Sequence, residues 1–306
     1  MATQIDATAS AAAERHPRFW FDDGSLVLRA RGQPDVLFKV HRSLLERQRQ
    51  QETAVRLGEV YDAPDGVSEG DLTALFEHLY HDIPLSRQAP PSHIIAVLRA
   101  SSPGQLDLPQ VHALARGYFE EVFGGGPAPF EHPAHLEEAL GAANRYGIHA
   151  VKKPLFYSLL TTSEFEPEID TPGDVGGPTV LGAGEQQAEP ELVPSIVKRH
   201  VLSPADVDRC RSLMTGVVDH FTPILFTPPT SHMDCTDILA DKWLPLVIQP
   251  AIEDDGVYKP LETLERIKRV DWVSEGICAA CAREKREEWT RDQENVWEKM
   301  DGWLKL

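Results

Sequence analysis

The fold is decided by the stretch Phe19-Trp20-Phe21-Asp22-Asp23-Gly24-Ser25-Leu26-Val27-Leu28 and, a short turn later, Leu37-Phe38-Lys39-Val40-His41-Arg42-Ser43-Leu44-Leu45. Residues 26–30 and 36–40 are short runs of strand-forming residues, and Gly32 and Pro34 between them favour a turn. From Arg42 onward the apolar residues take a helical spacing. The stretch therefore predicts a strand, a turn, a second strand and a helix.

The residues that follow extend this pattern. Residues 59–62 are a candidate third strand, and the apolar residues of the segment 71–80 recur at the i, i+3, i+4 and i+7 positions of a helix. We interpret this apolar face, made of Leu72, Leu75, Phe76 and Leu79, as core. Further helices are predicted over residues 92–100, 108–123, 135–146 and 151–160.

His41-Arg42-Ser43-Leu44-Leu45 directly after the second strand, together with residues 94–103 and 142–148, resembles the large BTB/POZ family of mushroom-type fungi. The resemblance covers about residues 17–163, and segments near Cys235, Pro260 and Cys278 resemble the tails of the same proteins. It implies an α+β fold in which a BTB/POZ-like small sheet flanked by helices precedes a mostly α-helical C-terminal domain. It also implies a non-enzymatic role in protein–protein interaction.

The resemblance further implies where partners bind. Asp23 and Arg42 match a charged pair that lies in a groove at the dimer face of some family members, so they are candidate partner contacts, with a surface ion pair as the alternative. Self-association and recruitment of another protein are both expected. Because residues 46–57 lack the apolar anchors usual in the family, heteromeric pairing becomes more plausible. A narrower alternative is a substrate adaptor of a cullin-based ubiquitin ligase.

Length and composition favour two domains. The chain has 306 residues, 42% of them hydrophobic, and single cores stop growing near about 250 to 300 residues. We predict a disordered lead over residues 1–15 and a BTB/POZ-like domain over residues 16–165. A flexible linker rich in Pro and Gly follows over residues 166–190, and a helical domain over residues 191–306.

Charge and cysteine usage restrict the partners and the compartment. The formal net charge of -18 repels phosphate backbones and anionic membrane surfaces, so direct nucleic-acid binding is disfavoured. No apolar run reaches the roughly 20 residues that a membrane span needs. Four cysteines are too few for a secreted disulfide scaffold, so we expect an intracellular protein of the cytoplasm or nucleus.

The strongest site signal is His232-Met233-Asp234-Cys235 together with Cys278-Ala279-Ala280-Cys281. Two such pairs suit a tetrahedral structural zinc ion. Two alternatives stay open. In the first, all four residues are ordinary buried side chains. In the second, Cys278 and Cys281 form a redox pair, or Cys235, Cys278 and Cys281 are the centre of a redox or metal-dependent enzyme. Cys210 lies on the apolar stripe of its own helix and is assigned to the core.

The rest of the C-terminal region reads as helix. Ser203 and Pro204 begin one helix, with Val207, Cys210, Met214, Val217 and Phe221 along its apolar face. We predict that residues 282–306 form a long charged helix. Its aromatic stripe, which we interpret as an interior seam, consists of Trp289, Val296, Trp297, Met300, Trp303 and Leu304. The sequence contains no phosphate-binding loop, nucleophile elbow, HExxH or dinucleotide-binding motif, so we predict that the protein is not an enzyme.

Overall fold

The computed structural model describes residues 13–48, 60–162, 202–226 and 228–306. They form a mixed α and β structure with a small sheet and many helices. The four strands lie in the order β1-β3-β2-β4. Their bounds are β1 Glu14–Trp20, β2 Leu26–Ala30, β3 Val36–Val40 and β4 Val60–Asp62.

The predicted hairpin is confirmed. β2 and β3 are antiparallel, with Leu28 opposite Phe38, and alternate side chains of both strands are buried. Such alternation is typical of a sheet with one face on the core. The candidate third strand is also confirmed, because β4 pairs in parallel with β2.

β1 was not predicted. It runs parallel to β3, and the register shifts between Arg15 and Trp20, around Pro17. Proline has no N–H to donate, which suits an edge strand with an interrupted ladder. Glu14 and Arg15, which we assigned to the disordered lead, therefore begin the sheet, while residues 1–12 lie outside the described residues.

The helices that follow the hairpin have the predicted bounds to within a few residues, because their apolar residues recur with the period of a helix. Ser68 caps α2 with a reciprocal capping box to Asp71, and the predicted face of α2 is buried in the core. The bounds are α1 Arg42–Gln48, α2 Glu69–Leu79, α3 Pro91–Ser101, α4 Pro109–Val122, α5 Leu136–Arg145 and α6 Lys152–Thr161, with a 3-10 turn at His149–Val151.

The C-terminal region is helical throughout its described part. Ser203 caps α7 as predicted, and Leu213 is buried on its inner face, where Met214 was expected and is only half-buried. The bounds are α7 Pro204–Phe221, α8 Met233–Trp243, α9 Gln249–Glu253, α10 Pro260–Arg269 and α11 Ala279–Leu304, with a 3-10 turn at Thr222–Leu225 and a π-helical turn at Leu244–Ile248.

Two clusters of buried side chains fill the interior. The first joins the sheet and α2–α6 to the inner faces of α7 and α11, including Cys210 and Val296. The second lies within the C-terminal region around Trp243, Trp272 and Trp289, whose ring centroids are 5.8–6.1 Å apart. The stripe on α11 is thus an interior seam, as predicted, and it contributes to both clusters.

Several predictions concern residues outside the described ranges. The linker over residues 166–190 and most of the segment 46–57 are among them, and the division into two domains stays a prediction. None of the helices within the described ranges combines the length and the hydropathy of a membrane span.

Candidate metal centre

The four predicted ligands come together at the first turns of two helices. His232 is the N-cap of α8 and Cys235 is its third residue, while Cys278 and Cys281 occupy the same two positions of α11. Because N-cap and N3 side chains point to the same end of a helix, a spacing of three brings both members of a pair toward one point. We call these four residues the metal-ligand cluster.

The distances from His232 to two of the sulfur atoms match those of a tetrahedral zinc site. The ligand atoms all lie within 4.8 Å of one another, and Nδ1 of His232 is 3.4 Å from Sγ of Cys278 and 3.6 Å from Sγ of Cys281. Zinc with a Zn–S bond of about 2.3 Å and a Zn–N bond of about 2.0 Å places sulfur and nitrogen ligands about 3.5 Å apart. The four residues therefore have the chemistry and the spacing to bind a metal ion.

The cluster has one buried side and one open side. Cys235 and Cys281 are buried and belong to the tryptophan-rich core, whereas Cys278 is half-buried and His232 is exposed. The two buried thiols are thus fixed by packing. The imidazole approaches them from the surface, which gives a metal ion an entry path.

The electrostatics of the cluster favour the thiolate form of Cys281. The hydrogen bond from Ser231 is the largest influence on Cys281, and with the neighbouring thiols it lowers the pKa of Cys281 to about 7. The N-terminal ends of α8 and α11 also face the cluster, and helix N-termini favour negative charge. At neutral pH a substantial fraction of Cys281 is therefore the thiolate, which is the form that metals bind.

Cys235 and Cys210 behave differently. A hydrogen bond from the Cys278 backbone favours the Cys235 thiolate, but burial and the neighbouring thiols outweigh it and raise the pKa of Cys235. Burial raises the pKa of Cys210 to about 12, since that side chain lies in the first core cluster beside Asp206. Cys210 is therefore a core residue, as predicted.

Sequence reasoning missed Ser231. Its Oγ lies 3.3 Å from Sγ of Cys281 and 3.1 Å from Oε2 of Glu284, and a hydroxyl has one proton to donate to one of the two. Thr230 orients the same loop, because its Oγ1 donates to the carbonyl of His232. The available signal was a hydroxyl residue directly before His232, a candidate ligand. That signal does not identify Cys281 as the partner, because Cys281 is 50 residues further along the chain.

Asp23 contacts His41, the residue directly before Arg42. Oδ2 of Asp23 is 3.2 Å from Nε2 of His41, and the hydrogen bond from this imidazole lowers the pKa of Asp23. Arg42, which follows His41, pairs with Glu46 one turn along α1. Tyr80 holds His41 from the other side, since its hydroxyl is 2.8 Å from Nδ1. The two candidate partner contacts therefore border one surface at the end of the hairpin.

The described residues thus contain a compact donor set at two helix ends and a charged surface at the end of the hairpin, where Asp23 is exposed and His41 and Arg42 are half-buried. The evidence for function therefore comes from these two features. Comparison with models of known protein families, with curated proteins and with solved structures finds no match for this chain.

Proposed function

We propose that this protein is a non-enzymatic interaction protein in which a BTB/POZ-like N-terminal domain binds protein partners and a structural zinc ion joins α8 to α11. The observation that carries the proposal is the complete donor set of the metal-ligand cluster. Catalytic zinc sites usually have three protein ligands and leave one position for water, whereas structural sites have four. A four-ligand site supports a stabilising role.

The N-terminal half supports the interaction role through the order of its elements. β2, β3 and α1 occur in the sequence on which the resemblance to BTB/POZ domains rests, and α2–α6 pack behind the sheet. We propose the edge around Asp23, His41 and Arg42 as the partner surface. Asp23 is 82% exposed there, so its carboxylate is available to a partner.

The zinc ion is tested by metal analysis of protein purified without added metal. We expect about one zinc per chain, and replacement by Co²⁺ should give the visible absorption of a tetrahedral thiolate complex. A Cys278→Ser and Cys281→Ser double variant should lose the metal and unfold at a lower temperature, because metal binding contributes directly to folding free energy.

Cys210→Ala provides the matched control. It removes a thiol from the other core cluster, so it should lower stability through a cavity and retain one zinc per chain. Protein without metal that also gains no stability from added Zn²⁺ would overturn the zinc proposal. The cysteines would then be ordinary core residues.

The partner surface is tested by native mass measurement and crosslinked pull-down. An Asp23→Ala and Arg42→Ala double variant should lose self-association or partner capture. A control variant, Asp254→Ala and Arg266→Ala, removes an ion pair from the C-terminal half and should leave binding unchanged. Co-purification with a cullin would narrow the role to a ligase adaptor. Wild-type protein without self-association or partner would contradict the interaction role.

A second candidate function follows from the thiolate at Cys281. A pKa of about 7 is typical of reactive cysteines, which favours redox chemistry by Cys278 and Cys281 in metal-free protein. The two candidates differ in one measurement. Bound zinc should block alkylation of Cys278, the half-buried member of the pair, whereas in a redox enzyme an added disulfide oxidant should convert the pair to a disulfide that a dithiol reduces again.

A further inference from the structure

A groove of about 690 Å³ lies between α7 and α11, away from the metal-ligand cluster. Lys299 on its α11 side is 18 residues beyond Cys281, which is about 27 Å along a helix. The groove has the size of a small-molecule site, for which 300 to 1,000 Å³ is usual. It is therefore a separate feature of the C-terminal region.

The groove brings together two cationic side chains and two hydroxyls. Arg211, Ser212 and Thr215 line it from α7 and Lys299 from α11. Among the described residues, Lys299 has no ion pair, and the hydroxyls of Ser212 and Thr215 have no hydrogen-bond partner within the protein. Arg211 makes one long ion pair, 3.4 Å to Asp208 on the same helix, and that pair uses only one of its N–H groups. Asp219 is the carboxylate of the lining. The lining thus has two cations and one carboxylate in a chain whose formal net charge is -18.

His220 sets the direction of Lys299. The ammonium of Lys299 donates to Nδ1 of His220 at 3.3 Å, so the proton of the neutral ring is on Nε2. Burial and Lys299 lower the pKa of His220, which keeps the ring neutral near pH 7. Nε2 is buried without a partner, and Lys299 retains two further N–H groups. The imidazole thus holds the cation in place without neutralising it.

Trp303 forms an aromatic wall of the groove. Its indole packs directly on Gly216, where a Cβ atom would lie 2.4 Å from the ring. His220 lies beside it, with ring centroids 5.9 Å apart. Because the bare glycine lets the indole lie close to α7, the ring occupies a fixed position next to the donors.

We propose that this groove binds a phosphate monoester that carries an aromatic group, the shared chemistry of a phosphotyrosine side chain and a nucleoside monophosphate. Lys299 and Arg211 bind the phosphate oxygens by charge-assisted hydrogen bonds, and Ser212 and Thr215 donate their hydroxyl protons. Trp303 contacts the aromatic group. Asp219, the carboxylate of the lining, accepts a hydrogen bond from an N–H or O–H group of the ligand.

The proposal is tested by calorimetric titration of the full chain with phenyl phosphate, inorganic phosphate and phenol at low ionic strength. We expect saturable binding of phenyl phosphate, weaker binding of inorganic phosphate and none of phenol. Lys299→Gln should weaken phenyl phosphate binding about tenfold, as the loss of one charge-assisted hydrogen bond implies. Trp303→Leu should remove the advantage of phenyl phosphate over inorganic phosphate.

Arg291→Gln is the matched control, since it removes one exposed positive charge from the same helix outside the groove. It should bind as the wild type does. A phosphotyrosine peptide and adenosine monophosphate then distinguish the two sources of the ligand by their relative affinity.

Thermal unfolding of each variant separates loss of binding from loss of fold, and the Trp303 indole N–H resonance provides a second readout in the wild type. We expect that resonance to shift on titration with phenyl phosphate. Absence of saturable binding to the wild type, or equal weakening by Lys299→Gln and Arg291→Gln, would overturn the proposal.

Discussion

The hydroxyl of Tyr157 donates a 2.5 Å hydrogen bond to Oε2 of Glu262, and this bond joins α6 to α10 across 105 residues of sequence. The same hydroxyl accepts the backbone N–H of Leu261 at 3.3 Å. Burial is the main reason that the pKa of Tyr157 is raised well above its ordinary value, so the phenol stays protonated and donates. The N-terminal and C-terminal helices are therefore joined by a buried polar contact as well as by apolar packing.

Tyr157→Phe should lower the free energy of unfolding by about 1 to 3 kcal/mol, because it leaves the Leu261 N–H and the Glu262 carboxylate without this partner. Chemical denaturation followed by tryptophan fluorescence and by circular dichroism measures the loss. Tyr118→Phe is the matched control: in the described part of the chain its hydroxyl has no hydrogen bond, so no loss is expected. Equal stability of wild type and Tyr157→Phe would contradict the prediction.

Gly216→Ala should destabilise the protein by about 1 to 3 kcal/mol, because the new Cβ would overlap the Trp303 ring and force α7 from α11. Gly117→Ala serves as the control. It lies within α4 with nothing inside 4 Å of the added Cβ, so helix propensity should stabilise it by about 0.5 to 1 kcal/mol. Opposite signs of the two changes in thermal unfolding temperature are expected, and the same sign for both would refute the packing argument.

Stability should fall as the pH drops below about 6.5, the ordinary pKa of histidine. Burial is the main cause that lowers the pKa of five histidines in the N-terminal half, namely His16, His78, His93, His112 and His132. In this pH window the unfolded chain binds protons that the native protein does not bind. Proton binding therefore stabilises the unfolded state and lowers the free energy of unfolding. The loss begins at the unfolded pKa and continues down to the lowered native values.

The histidine prediction is measured by urea unfolding between pH 7.5 and pH 5.5. His16 should contribute clearly, because its Nδ1 accepts the backbone N–H of Phe19 at 3.0 Å and protonation would abolish that bond. His16→Gln should reduce the pH dependence, whereas His149→Gln, at an exposed position, should leave it unchanged. A stability that is flat over this range would count against burial as the cause.

Ser231→Ala should raise the pKa of Cys281 in metal-free protein, since the hydrogen bond from Ser231 is the first cause of its low value of about 7. Because Cys281 is buried, the ultraviolet absorbance of the thiolate over a pH series measures the titration without requiring access by a reagent. The Cys281 thiolate should form near neutral pH in the wild type and only at higher pH in the variant. Cys210, with a pKa raised to about 12, should stay protonated over this range in both.

Sequence patterns predicted local structure well. The strands over residues 26–30 and 36–40 have those bounds in the structure, because their alternation and the turn residues between them act within a few positions. The sequence also predicted that His232, Cys235, Cys278 and Cys281 come together, since a spacing of three places both members of a pair at one helix end, and the structure brings the four side chains within 4.8 Å of one another. The identity of the metal does not follow from spacing.

Contacts between residues far apart in the chain could not be predicted from the sequence. β1 pairs with β3 in parallel, and its sequence contains Pro17 and several charged residues, so no local pattern indicates a strand. The contacts of Ser231 with Cys281 and of Tyr157 with Glu262 each join residues at least 50 positions apart. Such contacts depend on the packing of whole helices, which single-residue patterns do not specify.

The packing of α7 and α11 on α6 has a consequence for proteolysis. The helices before and after residues 163–201 contribute to one core, with Leu155 of α6 in the same cluster as Leu213 of α7 and Leu304 of α11. A protease cut anywhere between α6 and α7 would therefore leave two polypeptides with matching apolar faces. They should stay associated as a nicked protein and reassemble when mixed, because covalent continuity is not what holds these helices together.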